Sequence, residues 1–245
     1  MMSINFTVHT VNIDQSIWMI SLKNKNKKLM NEVKSTDLLS KSLKSCVKYS
    51  MRLKQITEAS PLTVEGSFTP DLLISKLWLW EELSRVLDRL DIQQVNAVYV
   101  LGSWTGSVGM VLAAKHFPAD TIINVDSDPN WISMSQEIAQ DMGFSDRTQH
   151  MIKDANSIDY RQARSPSVVI NTSTNDIVGR DWFDNIPPGT VVVLQGRDAT
   201  ITTQSWDSLS EFESDWPMRQ ILFRGQLPLQ DPETKYHRYM IIGQR

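Results

Sequence analysis

The chain has 245 residues, of which 41% are hydrophobic and 22% are charged. That length suits one sizeable core with an appendage and is short for two domains of average size. The net charge of -3 excludes a chain-wide polyanion-binding signature, and the single cysteine, Cys46, excludes an intrachain disulfide and a thiolate metal cluster. No metal site is expected.

The first 64 residues predict an extension that precedes a larger domain over residues 65–245. This extension carries nine Lys and one Arg against two Asp and two Glu, a net charge of +6. Weak alternation over residues 3–22 predicts short strands, and spaced apolar residues over 29–56 predict one or two helices. Such a basic region is either a nucleic-acid-binding arm or, more commonly, a solvated basic helix.

The sequence also bears on location. The N-terminus lacks the basic and apolar regions of a signal peptide, and no run approaches the roughly 18 apolar residues that would span a bilayer. Together with the single cysteine, these features predict a cytoplasmic protein with no membrane association.

Helices and strands are predicted to alternate from residue 68 onward. A helix over residues 71–90 begins after Thr69 and Pro70, which suit an N-cap and the first helical position. Apolar runs then predict strands over 96–102, 121–126, 148–154, 167–171 and 190–195, with helices over 105–117 and 130–142. Two last strands, 218–226 and 235–243, are joined by only eight residues. That connection is too short for a helical crossover, so the pair is antiparallel.

This pattern predicts a mostly parallel, seven-stranded Rossmann-like sheet with an antiparallel last strand and helices on both faces. Over about residues 68–245 it resembles the class I S-adenosylmethionine-dependent methyltransferases, and the resemblance implies S-adenosylmethionine as the cofactor. The segments GSWTG, TPDLLISKLWLW and INTS also resemble poorly characterised methyltransferase-like proteins of bacteria and their viruses.

The segment VLGSWTGSVG follows the first strand, where glycines let the chain turn tightly into a helix whose amides face a ligand. It resembles methyltransferase motif I, which implies that Gly102, Ser103, Trp104 and Gly106 bind the cofactor. Trp104 stands where a central glycine is usual, and Val100 stands where an acid is often found. Trp104 either lines the methionine end of the pocket or fills it. The alternative is a structural glycine turn that binds nothing.

Acidic residues follow the second and third strands. A carboxylate at the end of the second strand accepts hydrogen bonds from ribose hydroxyls in dinucleotide and S-adenosylmethionine sites alike, so Asp126, with Ser127 beside it, is a predicted cofactor contact. Asp128 is a neighbouring candidate or simply a helix cap. The resemblance further implies that Asp154 and the Ala155 amide bind adenine, unless they form a plain surface turn.

The fourth strand ends in a polar cluster that runs from Asn171 to Asn175. Amino-group nucleic-acid methyltransferases carry Asp or Asn at this position, followed by two prolines and an aromatic residue, and here only the Asn is present. The resemblance implies that Asn171 and Ser173 are catalytic residues and that Asn171 also contacts the cofactor. The alternative is a polar loop rich in helix-capping residues.

Two pairs of residues have weaker support. By the resemblance, Phe68 and Lys76 belong to a leading helix that closes over the cofactor; otherwise Phe68 is core and Lys76 is solvated. Alternation in the last strand sends His237 and Arg238 to opposite faces, so that one of them reaches solvent or a substrate.

The leading hypothesis is methyl transfer to an unidentified small-molecule or macromolecular acceptor, with Asp176, Asp198 and His237 as titratable residues to test. One alternative is another reaction on the same cofactor, such as aminopropyl transfer or a lyase reaction. A second is an inactive methyltransferase fold that binds a protein or RNA. A nicotinamide-dependent oxidoreductase is disfavoured by the missing glycine of G-x-G-x-x-G and by the antiparallel tail. The sequence indicates neither the acceptor nor the oligomeric state.

Overall fold

Strands and helices alternate along the part of the chain that the computed structural model describes, which is residue 67 and residues 69–160, 165–198, 204–230 and 234–245. These residues belong to one compact unit. The predictions for the basic extension and for Phe68 lie outside the described residues. Within the described ranges, no helix is long and apolar enough to cross a membrane.

The described ranges contain seven strands and five α-helices. The strands are β1 (Val95–Leu101), β2 (Ala119–Asp126), β3 (Thr148–Ile152), β4 (Ser167–Asn171), β5 (Val191–Arg197), β6 (Gln220–Gln230) and β7 (Lys235–Gln244). The helices are α1 (Pro70–Arg89), α2 (Ser107–Ala114), α3 (Pro129–Asp141), α4 (Asp181–Asp184) and α5 (Leu209–Asp215), with a 3-10 turn at Ala155–Ser157. The short helices α4 and α5 and the 3-10 turn did not follow from the sequence pattern.

All seven strands form one sheet in the order β3-β2-β1-β4-β5-β7-β6. The pairs among β1 to β5 are parallel, whereas β7 runs antiparallel to both β5 and β6. The predicted mostly parallel sheet with a reversed last strand is therefore confirmed. Since β2 and β4 lie on opposite sides of β1, the order reverses at β1, and open α/β sheets bind ligands at such a reversal.

Alternate residues along each strand point to two different cores. One face of the sheet packs against α1 and α2 through a cluster that includes Leu79, Leu83, Val98, Val100, Leu112, Val168, Ile170, Val193 and Ile242. The other face packs against α4, α5 and the connecting segments through a cluster that includes Tyr99, Val169, Trp182, Phe183, Leu194, Trp206, Phe212 and Trp216. Helices thus cover both faces, as predicted, and both sides of the central strands are buried.

The last hairpin is longer than the sequence pattern suggests. We expected a loop after residue 226, but β6 continues to Gln230, and Leu227 to Gln230 pair with β7. Pro228 has no N–H group, but β6 is the edge strand of the sheet, so no further strand requires that donor. The proline therefore marked an edge strand rather than the end of a strand.

Candidate functional site

The glycine-rich loop turns the chain sharply from β1 into α2. Three of its residues have positive φ: Gly102 (56°), Trp104 (51°) and Gly106 (74°). The loop is fixed by a hydrogen bond of 2.9 Å from the Ser103 amide to the Val125 carbonyl of β2. Gly106 caps α2 without a side-chain hydrogen bond, so the first amides of this helix have no side chain as their acceptor. That arrangement suits an anionic or polar ligand.

Packing also explains both predicted glycines. A Cβ on Gly102 would lie 2.9 Å from the Ser173 Cβ, and one on Gly106 would collide with the Ser135 hydroxyl of α3. Their positive φ angles would in addition strain any residue that carries a Cβ. The glycines therefore bring the loop against β4 and α3, and this structural role holds with or without a ligand.

Asp126 lies at the end of β2, half-buried beside the glycine loop. Its Oδ2 accepts a hydrogen bond of 2.8 Å from the Trp104 amide, and its Oδ1 accepts one of 3.1 Å from the Asp128 amide. Each carboxylate oxygen keeps a further acceptor position, so ribose hydroxyls can still bind there. Ser127 is exposed next to it. Asp128 caps α3 by accepting from the Asn130 amide, which is the alternative that the sequence left open.

The Trp104 side chain packs against the first turns of α3. Its ring meets that of Trp131 edge to face, with ring centroids 5.4 Å apart, and both side chains are half-buried. The pair thus joins the glycine loop to the start of α3. A role for Trp104 toward the cofactor stays a prediction.

Asp154 and Ala155 follow β3 at the same edge of the sheet. Asp154 is exposed, and its Oδ1 accepts hydrogen bonds from the Asn156 amide (2.9 Å) and the Asn156 side chain (3.2 Å). Ala155 is buried within the 3-10 turn that Asp154 caps. The structure therefore contains the surface turn that was the alternative interpretation, and adenine binding stays a prediction.

Asn171 and Ser173 lie directly against the glycine loop. Asn171 ends β4 level with Leu101 of β1 and is fully buried. Its Oδ1 accepts a hydrogen bond of 2.8 Å from the Ser173 amide, and the Ser173 hydroxyl donates one of 3.1 Å to the Gly102 carbonyl. The structure thus joins three residues that the sequence assigned to one site.

Three buried polar atoms near this edge have no hydrogen-bond partner within the described ranges. They are the Asn171 Nδ2, the Ser103 Oγ and the Thr105 Oγ1. Because buried polar groups are nearly always hydrogen-bonded, such a concentration in one loop and the adjoining strand end calls for an unseen partner. A polar ligand held at this edge would supply one.

The other residues of the polar cluster after β4 connect the loop that follows β4 to β5 through hydrogen bonds. The Thr174 hydroxyl donates to the Gln195 carbonyl at 2.7 Å. The Asn175 side chain donates to the Arg197 carbonyl at 3.1 Å and accepts from the Arg197 amide at 3.0 Å. These bonds explain why the cluster is polar, and they support the loop interpretation for Thr174 and Asn175.

The titratable candidates differ in environment. His237 is exposed on β7 and pairs with Asp198, with 3.0 Å between Nδ1 and Oδ2. Arg238 is buried, which confirms that the two neighbours point to opposite faces. Partial withdrawal from solvent raises the pKa of Asp176, and Arg238 and Arg197 oppose that rise.

Sequence reasoning missed a group of buried charged side chains at the β5–β7 end of the same edge of the sheet. For Lys76, the sequence analysis left open a solvated position, but its side chain is only 8% exposed. Asp71 and Arg238 are buried near it. The signal was present in the sequence, because Ser75 and Lys76 interrupt the apolar pattern of α1. Within the described ranges, no three His, Cys, Asp or Glu side chains cluster as metal ligands.

No family model and no curated protein sequence matches the chain. Solved structures with a similar arrangement include an RNA methyltransferase from Salinibacter ruber in complex with S-adenosyl-L-homocysteine (20% identity, 67% of this chain and 90% of that one, TM-score 0.41). They also include TrmN from Thermus thermophilus (14% identity, 75% of this chain and 51% of that one, TM-score 0.47). A third is an rRNA methylase from Streptococcus thermophilus (13% identity, 73% and 99%, TM-score 0.46). The order and directions of its own seven strands give this chain the class I methyltransferase fold.

Proposed function

We propose that the chain is an S-adenosylmethionine-dependent methyltransferase whose acceptor is unidentified, with the cofactor held at the carboxyl ends of β1, β2 and β4. The observation that carries the proposal is the convergence of three features at the point where the strand order reverses. They are the helix α2 that lacks a side-chain cap, the Asp126 carboxylate, and the contact of Ser173 with Gly102.

The residues present fit this cofactor. The remaining acceptor positions of Asp126 suit ribose hydroxyls, and Ser127 extends the same surface. Asp154 and the Ala155 amide are the proposed adenine contacts. The unpartnered Ser103 and Thr105 hydroxyls and the first amides of α2 offer polar contacts to the remainder. When bound, S-adenosylmethionine supplies an activated methyl group on a sulfonium.

The contribution of the chain to the rate is mainly positional. Asn171 and Ser173 are the proposed catalytic residues, because the Asn171 Nδ2 is a buried donor with no partner in the described structure and Ser173 lies against the loop. These residues orient the acceptor group, and holding two reactants in line supplies much of the gain in such a transfer. A general base is optional in this chemistry.

Calorimetric titration of the purified chain with S-adenosylmethionine, and in parallel with NAD, tests the proposal. We expect saturable binding of the first and none of the second. At about 100 times its dissociation constant, the cofactor should stabilise the fold by about 2.7 kcal/mol. Binding of NAD alone would favour the oxidoreductase alternative, and binding of neither would contradict the proposed function.

Two finer proposals concern the location of the protein and a macromolecular partner. We infer a cytoplasmic location from the single cysteine. We also infer that the basic extension is a candidate contact for nucleic acid. Replacing the four lysines of the segment KNKNKK by serine in the full chain should then weaken RNA binding and flatten its salt dependence. Unchanged RNA binding would contradict this inference.

A further inference from the structure

Trp104 has a backbone conformation that is unusual for so large a residue. Its φ of 51° lies in the left-handed region, which glycine adopts freely and a bulky residue adopts only at a cost in free energy. Residues strained in this way persist where the surrounding structure fixes them. The contacts that Trp104 makes must therefore offset the cost of its conformation.

One contact fixes the backbone of Trp104 and another fixes its side chain. Its amide donates a hydrogen bond of 2.8 Å to the Asp126 Oδ2. Its ring meets the Trp131 ring edge to face, with the centroids 5.4 Å apart and an angle of 85° between the planes. The amide thus stays on Asp126 while the ring is directed toward α3.

Trp131 can position another ring because its own position is fixed. It lies in the first turn of α3, which the Asp128 side chain caps. Its side chain also packs against a buried cluster of Met110, Met134 and Ile138. The edge-to-face geometry is one that aromatic pairs prefer. The start of α3 therefore presents an anchored aromatic side chain to the glycine loop.

The packing of the glycine loop restricts where else the Trp104 side chain can lie. A Cβ on Gly102 would lie 2.9 Å from the Ser173 Cβ, so the loop is in close contact with the segment after β4. A Cβ on Gly106 would collide with the Ser135 hydroxyl, so the loop is equally close to α3. A Trp104 ring released from α3 would therefore lie over the exposed side of the loop.

That exposed side is where we place the cofactor. The Trp104 Cα lies within about 4.3 Å of the Asp126 Oδ2, since the N–Cα bond adds about 1.46 Å to the hydrogen bond. An indole has about 150–250 Å² of surface to bury. A ring lying over the loop would cover the free acceptor positions of Asp126 and the first amides of α2.

We propose that Trp131 is a positioning residue for cofactor binding, because it holds the Trp104 ring against α3 and keeps the edge at Asp126 open. The inference deepens the proposed function and rests on it. An edge-to-face pair favours the held conformation by about two- to twelvefold. Loss of the pair lowers the fraction of molecules with an open site, and the apparent affinity falls with that fraction.

Calorimetric titration of four proteins with S-adenosylmethionine tests the inference. Trp131→Ala should weaken binding by about three- to tenfold. Trp104→Gly removes the ring and relieves the backbone strain, so it should bind within about twofold of the wild-type value. The double variant should bind like Trp104→Gly, because no ring remains to be held. Unchanged affinity in Trp131→Ala, or a loss that persists in the double variant, would overturn the inference.

Further variants separate positioning from stability. Trp131→Leu and Trp131→Phe both keep an apolar side chain on α3, but only the second keeps a ring. Trp131→Phe should bind S-adenosylmethionine more tightly than Trp131→Leu, and equal affinities would overturn the inference. Phe223→Ala is the matched control, since Phe223 forms another edge-to-face pair with Trp78, with centroids 6.0 Å apart. It should lower stability in urea and leave the affinity unchanged, and a loss matching that of Trp131→Ala would also overturn the inference.

The remaining outcomes distinguish this inference from the proposed function. A loss of about tenfold or more in Trp104→Gly would make the ring a cofactor contact and overturn the inference alone. Binding of S-adenosylmethionine to Trp104→Gly but not to the wild-type chain would show that the ring already fills the site, which overturns the inference and keeps the site. Binding to neither protein would defeat the proposed function and the inference with it.

Discussion

The two ends of the sheet's carboxyl edge differ in how their charged groups are paired. At the β1–β2 end, the chain's own backbone satisfies Asp126, whose two oxygens accept from Trp104 and Asp128. At the β5–β7 end, Lys76 and Arg238 are buried with Asp71, and the Arg238 Nε has no hydrogen-bond partner within the described ranges. The first arrangement stabilises a loop and leaves acceptor positions for the proposed cofactor, whereas the second carries the desolvation cost of buried cations.

The largest effect should come from Asp126→Ala. The substitution removes the acceptor for two backbone amides and for the proposed ribose contact. Since hydrogen bonds to a charged group contribute about 1.5–3 kcal/mol each, we expect unfolding to become easier by about 3 kcal/mol or more. Calorimetry at a temperature where circular dichroism shows a folded chain should also find about 100-fold weaker S-adenosylmethionine binding.

Asp126→Asn is the matched variant for that experiment. It keeps one carbonyl oxygen and can still hold one of the two amides, so it should lose less stability than Asp126→Ala. Its binding of S-adenosylmethionine should still fall, because the charge and one acceptor are gone. Wild-type affinity in both variants would show that Asp126 stabilises the glycine loop only. The proposed ribose contact at the β1–β2 end would then be wrong.

The glycine loop provides the next test, because two glycines share a backbone conformation but differ in their neighbours. Gly106 has φ 74° and Gly143 has φ 73°, yet an added Cβ meets the Ser135 hydroxyl at Gly106 and nothing within 4 Å at Gly143. Gly143→Ala should cost about 1–2 kcal/mol from backbone strain alone. Gly106→Ala should cost about 1–3 kcal/mol more from overpacking, as measured by urea unfolding. Equal losses of stability in the two variants would mean that α3 shifts to accommodate the added Cβ at no cost in free energy.

The sequence predicted the strands and the tight turn at the β1–β2 end because their signals are local. Glycines with positive φ, an acid at a strand end and Pro129 at the start of a helix act through their nearest neighbours. The turn at Gly102 and Gly106 and the strand end at Asp126 could therefore be predicted without a structure. The alternation of apolar strand segments with helical segments, from which the five parallel strands were predicted, is local as well. The prediction of the central sheet therefore needed no knowledge of how distant segments pack.

The β5–β7 end could not be predicted in the same way, because it forms only when distant segments meet. Asp71 and Tyr236 share a hydrogen bond across 165 positions of the sequence, and Ser75 and Gln195 share one across 120. In the sequence, Ser75 and Lys76 interrupt the apolar pattern of α1, but this signal does not identify the segments that cover them. The burial of Lys76 depends on α1 lying over β5 and β7, which no periodicity specifies.

Lys76→Met should stabilise the protein, by about 1–4 kcal/mol, because it replaces a buried, desolvated ammonium group with an apolar side chain of similar length. The sign depends on pH. The pKa of Lys76 is about 7 in the folded chain and 10.5 when unperturbed, so the unfolded state binds more protons between these values. Wild-type stability therefore rises with pH in that window, and the advantage of Lys76→Met is largest below pH 7 and shrinks toward pH 10.5.

Urea unfolding of the wild-type and Lys76→Met proteins at several pH values measures the difference between their free energies of unfolding. Other titrating groups contribute almost equally to both proteins, so their effects largely cancel in this difference. Lys115→Met, at a half-buried lysine over an aromatic ring, should show a smaller gain or a loss. Destabilisation by Lys76→Met at every pH would show that Lys76 is held by favourable contacts. The contrast between a satisfied end and an unsatisfied one would then be wrong.

The smallest effect should come from His237, which adjoins Arg238 in sequence but lies on the opposite face of β7. Its ring pairs with Asp198, and the two side chains are 48% and 26% exposed, so His237→Ala should cost less than about 1 kcal/mol. Asp198→Ala should cost more, because the Asp198 Oδ1 also accepts from the His237 amide at 2.7 Å. Neither change should alter S-adenosylmethionine binding measured by calorimetry. A clear loss of affinity in His237→Ala would extend the cofactor site across the sheet to β7, so the two ends would have to be treated as one site.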